Sequence, residues 1–111
     1  TVAPQVLWTL NNEASFKEAQ VFASQLVKMA GDHPSEWVEA AWRTALSRRP
    51  TTREKQEALT MVEKLIQQGP AKQDRNNPMP EELAALGAAR AEALTKLCLA
   101  LFNLDEFIYV D

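Results

Sequence analysis

The sequence predicts an all-α domain, and three observations carry that reading. Only three glycines occur in 111 residues. No alternating apolar/polar run of strand length is present, whereas long segments repeat their apolar residues at helical spacing. The breakers Gly31, Pro50 and Gly69-Pro70 fall between those segments. The expectation is a compact bundle of about five helices, the first short and the last long, with mainly antiparallel neighbours.

A first short helix is expected over 4–11. Pro4 suits its first turn, and Val6, Leu7 and Leu10 share one face. A second helix should begin near Ser15, where Ser15 and Glu18 have capping-box spacing. Phe16, Ala19, Phe22, Ala23, Leu26, Val27 and Ala30 form its apolar stripe, and Gly31 follows as a left-handed cap. The third helix is expected over 35–48, with Trp37, Val38, Ala41, Trp42, Ala45 and Leu46 inward. Pro50 stops it by excluding the preceding residue from helical geometry. Thr51 and Glu54 repeat the capping-box spacing and start a fourth helix that runs to about Gln68. Its inner face is Ala58, Leu59, Val62, Leu65 and Ile66. The stretch 69–78 is polar and breaker-rich, which predicts a mobile loop. A long last helix follows Pro80, with Leu83, Leu86, Leu94, Leu97, Cys98, Leu101, Leu104 and Ile108 on one face. No internal repeat is visible.

The length suits one domain, 1–111, with one core. A net charge of −3 gives no electrostatic footprint for a nucleic acid. The single cysteine, Cys98, rules out an intrachain disulfide. No apolar run approaches the roughly 20 residues of a membrane span. No signal peptide opens the chain, and the start at Thr1 suggests processing or excision from a longer chain.

Three blocks stand in order. Thr1-Val2-Ala3-Pro4-Gln5 runs on through Leu10-Asn11-Asn12. Ala45-Leu46-Ser47-Arg48-Arg49-Pro50-Thr51-Thr52-Arg53-Glu54 is the second. The third extends from Leu97-Cys98 through Asn103-Leu104-Asp105-Glu106-Phe107-Ile108-Tyr109-Val110-Asp111. Together they resemble the C-terminal part of a planctomycete-specific domain of unknown function. That domain is found at the end of large multidomain proteins, often beside cytochrome-c-like modules. The resemblance implies that this chain is the C-terminal half of the domain and that the parent protein is exported. It brings no catalytic residues. The family usually has glycine where this chain has Ser47, which weakens the expectation of a left-handed turn there.

Hydrolase, phosphate-loop and zinc-protease signatures are missing from the sequence. His33 and Cys98 could form a nucleophilic pair only if both faced one cleft; otherwise Cys98 is a small core residue. Neither a converging metal-ligand set nor a haem-attachment C-x-x-C-H occurs, so no cofactor is expected. Arg48 and Arg49 before Pro50-Thr51 are the sharpest local signal. They read either as an anion site at the start of the fourth helix or as a helix-end arginine paired with a carboxylate. Gln5, Asn11, Arg48, Asn103 and Glu106 are the candidate polar site, with helix-end capping as the alternative role for the asparagines. Arg90 falls within the apolar stripe between Leu86 and Leu94, so it needs an ion-pair partner or an exit to solvent. Trp8 points away from the Val6, Leu7 and Leu10 face and is the candidate docking surface.

These residues favour a non-catalytic structural or interaction module of an exported multidomain bacterial protein. Its expected partner is the upstream half of its own parent, with weak self-association through Trp8. The alternative is half of an enzyme or carbohydrate-processing accessory domain, completed by the upstream segment. In that case Gln5, Asn11, Arg48 and Glu106 should line one cleft.

Overall fold

The computed structural model describes residues 13–69 and 79–103. The short helix expected over 4–11 lies outside the described residues, as do the chain end from Leu104 and all of the expected loop except Gly69. Five helices are described: α1 Glu13–Ala30, α2 Pro34–Leu46, α3 Thr52–Gln68, α4 Glu81–Ala84 and α5 Ala88–Phe102. No strand occurs among the described residues, so the fold is the all-α bundle that the periodicity predicts.

Helix α1 starts at Glu13, two residues ahead of the expected cap, so Ser15 lies inside the helix rather than at its N-cap. It ends as expected. Gly31 takes φ +63° and its N–H donates to the Val27 carbonyl at 2.8 Å. Ala19, Ala23 and Leu26 are fully buried, with Phe22 half-buried beside them.

Helix α2 opens on Pro34, whose missing N–H costs nothing at the first helical position. Its end differs from the sequence reading, which carried it to Arg48 and made Pro50 the stop. The helix stops at Leu46, and Ser47 takes the left-handed conformation at φ 59°, ψ 27°. The serine therefore makes the turn that its side chain argued against. The buried Leu46 before it and the Arg48 ion pair after it fix both sides of the turn. A residue with a Cβ is strained there, so Ser47→Gly should stabilise the domain by about 0.5–1 kcal/mol. Chemical denaturation checks this; a destabilised Ser47→Gly would mean that the serine side chain supports the turn.

Helix α3 has the expected capping box. The Glu54 N–H donates to Thr51 Oγ1 at 3.1 Å, and the Thr51 N–H donates to Glu54 Oε1 at 2.8 Å. The segment after Pro80 is not one helix. Gly87, at φ +94°, separates the single turn α4 from the 15-residue α5. A left-handed residue cannot continue a right-handed helix.

Helix α5 is the centre of the bundle. It packs on α1 and on α3, while α2 touches all three. Its Arg90 pairs with Asp32 beyond the end of α1, and its Phe102 stacks on Phe22 at 5.9 Å, so α1 and α5 run antiparallel. Ala91, Ala93, Leu94, Leu97, Cys98 and Leu101 are all buried, more than one helical face, as a central helix requires. The buried Thr95 hydroxyl satisfies itself by donating to the Ala91 carbonyl at 2.8 Å.

Candidate functional site

The break at Gly87 explains Arg90. It lies in the first turn of α5, not midway along an unbroken stripe. Its Nε donates to Asp32 Oδ1 at 2.7 Å, and its guanidinium lies 5.3 Å from the Trp37 ring centroid. The Trp37 indole N–H in turn donates to the Gly31 carbonyl at 2.6 Å. Arg90, Asp32, Trp37 and Gly31 thus tie the α1–α2 turn to α5. Of the two roles that the sequence left open for Arg90, ion pair or exit to solvent, the structure shows the ion pair.

Arg48 is also engaged within the chain. Its Nη1 and Nη2 donate to Glu54 Oε1 and Oε2 at 2.8 and 2.9 Å, and Nη1 also donates to the Arg49 carbonyl at 3.0 Å. Such a two-pronged pair is the strong form of a charged hydrogen bond. The Arg48 hydrogen bond holds the Glu54 carboxyl down at about 2, against a smaller opposing effect of burial, with the Thr51 N–H assisting. One carboxylate therefore closes the capping box and anchors the residue after the left-handed turn.

Arg48→Ala should destabilise by about 1–2 kcal/mol at neutral pH, because the pair is partly solvent-screened. Glu54 has a folded pKa below its unfolded value near 4.5. Its contribution is complete above pH 4.5 and is lost as pH falls towards 2. The gap between wild type and Arg48→Ala should therefore shrink across that window. Melts at stepped pH test this; a gap independent of pH would assign the loss to packing alone.

The Cys98–His33 pair does not form a cleft. Cys98 is fully buried and desolvation pushes its thiol up to about 12, whereas His33 is exposed at the N-cap position of α2. Among the described residues no group of three metal-ligating side chains converges. Asn103 is exposed and caps α5 through its own N–H, which donates to the Ala100 carbonyl at 3.1 Å. Gln5, Asn11 and Glu106, with the docking candidate Trp8, lie outside the described residues.

A concavity that none of the described candidates lines lies along α3 and α5, and Arg48 adjoins it through its partner Glu54. It is an open groove of about 310 Å³. Ala58 and Met61 from α3, Leu97, Ala100 and Leu101 from α5, and Trp42 from α2 give it an apolar lining. Glu54 and Glu57 are the charged residues that line it. The sequence reading missed this site. Its signal is the spacing of 54, 57, 58 and 61, which puts two carboxylates and two apolar side chains on one face of α3. Trp42 is 6% exposed, and its indole N–H is buried without a partner among the described residues.

No helix among the described residues is long and apolar enough to cross a membrane. No family model, curated protein or solved structure matches the chain.

Proposed function

We propose that this chain is a non-catalytic interaction module that docks onto another part of its parent protein. The observation that carries this reading is the apolar groove between α3 and α5. An open apolar surface with a polar rim is what docking requires. The chemically capable side chains nearby support the same reading. Arg48 is held by Glu54, and the Cys98 thiol is shut away from solvent. The three-block resemblance adds the setting, a large exported bacterial protein whose upstream half is the docking partner.

The test uses the longer protein. Ala100 is exposed and lines the groove, so Ala100→Arg fills the groove without entering the core. Arginine is a good helix former, and the isolated domain should keep its stability within about 0.5 kcal/mol. In the parent, Ala100→Arg should make the attachment of this domain easier to cleave by limited proteolysis. An unchanged proteolysis pattern in the parent would refute docking through this groove.

A further inference from the structure

The groove has the pattern of a helix receptor, and its charge says which helix fits. On α3 the lining residues are Glu54, Glu57, Ala58 and Met61, spaced i, i+3, i+4 and i+7. On α5 they are Leu97, Ala100 and Leu101, spaced i, i+3 and i+4. Two packed helices presenting such stripes leave a trough into which a third helix lays its apolar face. The charge comes from the α3 wall alone. Both carboxylates sit in the first half of α3, while Met61 lies beyond them.

The two carboxylates are not equivalent. Glu54 is committed to Arg48 and to the Thr51 N–H. Glu57 bonds Arg53 at 3.0 Å in an i,i+4 pair whose side chains are 89% and 67% exposed. A pair that exposed holds its partners weakly, so Glu57 can exchange or share its cation. Neither Arg48 nor Arg53 lines the groove. An incoming acidic side chain would face Glu54 and Glu57. An incoming basic one would gain Glu57, with its neutral neighbours packed on the apolar floor.

We infer that the groove receives an amphipathic helix that carries two apolar side chains one turn apart, with a lysine or arginine one turn further towards Glu57. This rests on the interaction-module reading and adds the chemistry of the partner to it.

The probe is a short synthetic amphipathic peptide with leucines one turn apart and a flanking lysine. Two analogues replace that lysine with glutamine and with glutamate. Binding is followed by NMR at the Met61 methyl and the Trp42 indole N–H of the full chain. The lysine peptide should shift both signals and bind about threefold tighter than the glutamine analogue, the ratio expected for one exposed ion pair. The glutamate analogue should bind most weakly. Glu57→Gln should abolish the difference between the lysine and glutamine peptides, and Ala100→Arg should abolish groove binding by all three. Equal binding of the three peptides would overturn the basic-helix proposal and leave groove docking intact. Shifts confined to the exposed Val21 and Met29 on α1 would overturn it as well. If no peptide binds but Ala100→Arg still exposes the parent to protease, the partner chemistry is wrong and the interaction reading survives. If both fail, that reading fails too.

Discussion

Leu97→Asp should abolish the cooperative melt of this domain. Leu97 is 1% exposed near the middle of α5, the helix on which α1 and α3 both pack. The substitution removes a buried side chain, which alone costs about 2–5 kcal/mol, and puts a carboxylate in its place without a built partner. A domain of this size has only about 5–15 kcal/mol in total, so the variant should be largely unfolded at physiological temperature. Ala100→Arg, one turn further along the exposed side of the same helix, is the matched control and should melt near wild type. Circular dichroism against temperature separates the two. A Leu97→Asp variant that melts cooperatively near the wild-type temperature would mean that α5 is not the centre of the core.

The core was legible in the sequence because helical spacing records burial directly. Ala19, Ala23 and Leu26 on α1, and Trp37, Val38, Ala41 and Trp42 on α2, stand in the structure where their spacing puts them. Thr51 and Glu54 were legible for a different reason: a capping box is a local bonding pattern, closed within four residues. The errors came from single backbone conformations that apolar spacing does not record. Ser47 turns left-handed although its side chain disfavours it, and Gly87 interrupts a stripe that continues across it. A glycine within a helical pattern is often tolerated, so spacing alone did not locate the break. The break in turn moved Arg90 from mid-stripe to a helix start, beside Asp32. The groove was harder still. Its walls come from α2, α3 and α5, and no one-dimensional pattern says which stripes face each other. Buried Gln20 and Ser24 belong to the same class. Ser24 lies inward because its hydroxyl donates to Glu82 Oε2 at 3.1 Å, a partner 58 residues away.

The two buried tryptophans of α2 should respond unequally to the same substitution. Trp37 is fully buried, and its N–H donates to the Gly31 carbonyl. That carbonyl belongs to the left-handed residue that ends α1, so the bond fixes the turn into α2. The Trp37 ring also carries the Arg90 guanidinium, which Asp32 holds from the same turn. Trp37→Phe removes the donor that holds the Gly31 carbonyl and weakens the cation–π contact. The expected cost is about 2–4 kcal/mol, from lost volume together with the lost hydrogen bond and ring–cation contact. Trp42→Phe loses similar volume but deletes an N–H that has no acceptor among the described residues. Removing an unsatisfied buried donor recovers about 1–3 kcal/mol, which offsets most of the cavity term. Trp42→Phe should therefore fall within about 1 kcal/mol of wild type by chemical denaturation. Equal losses for both variants would mean that the Gly31 carbonyl finds another donor, or that Trp42 N–H finds an acceptor in solution. A further contrast tests the shared brace at Trp37. Arg90→Met should weaken the wild-type domain more than it weakens Trp37→Phe, because the arginine and the indole brace the same turn and their losses are not additive.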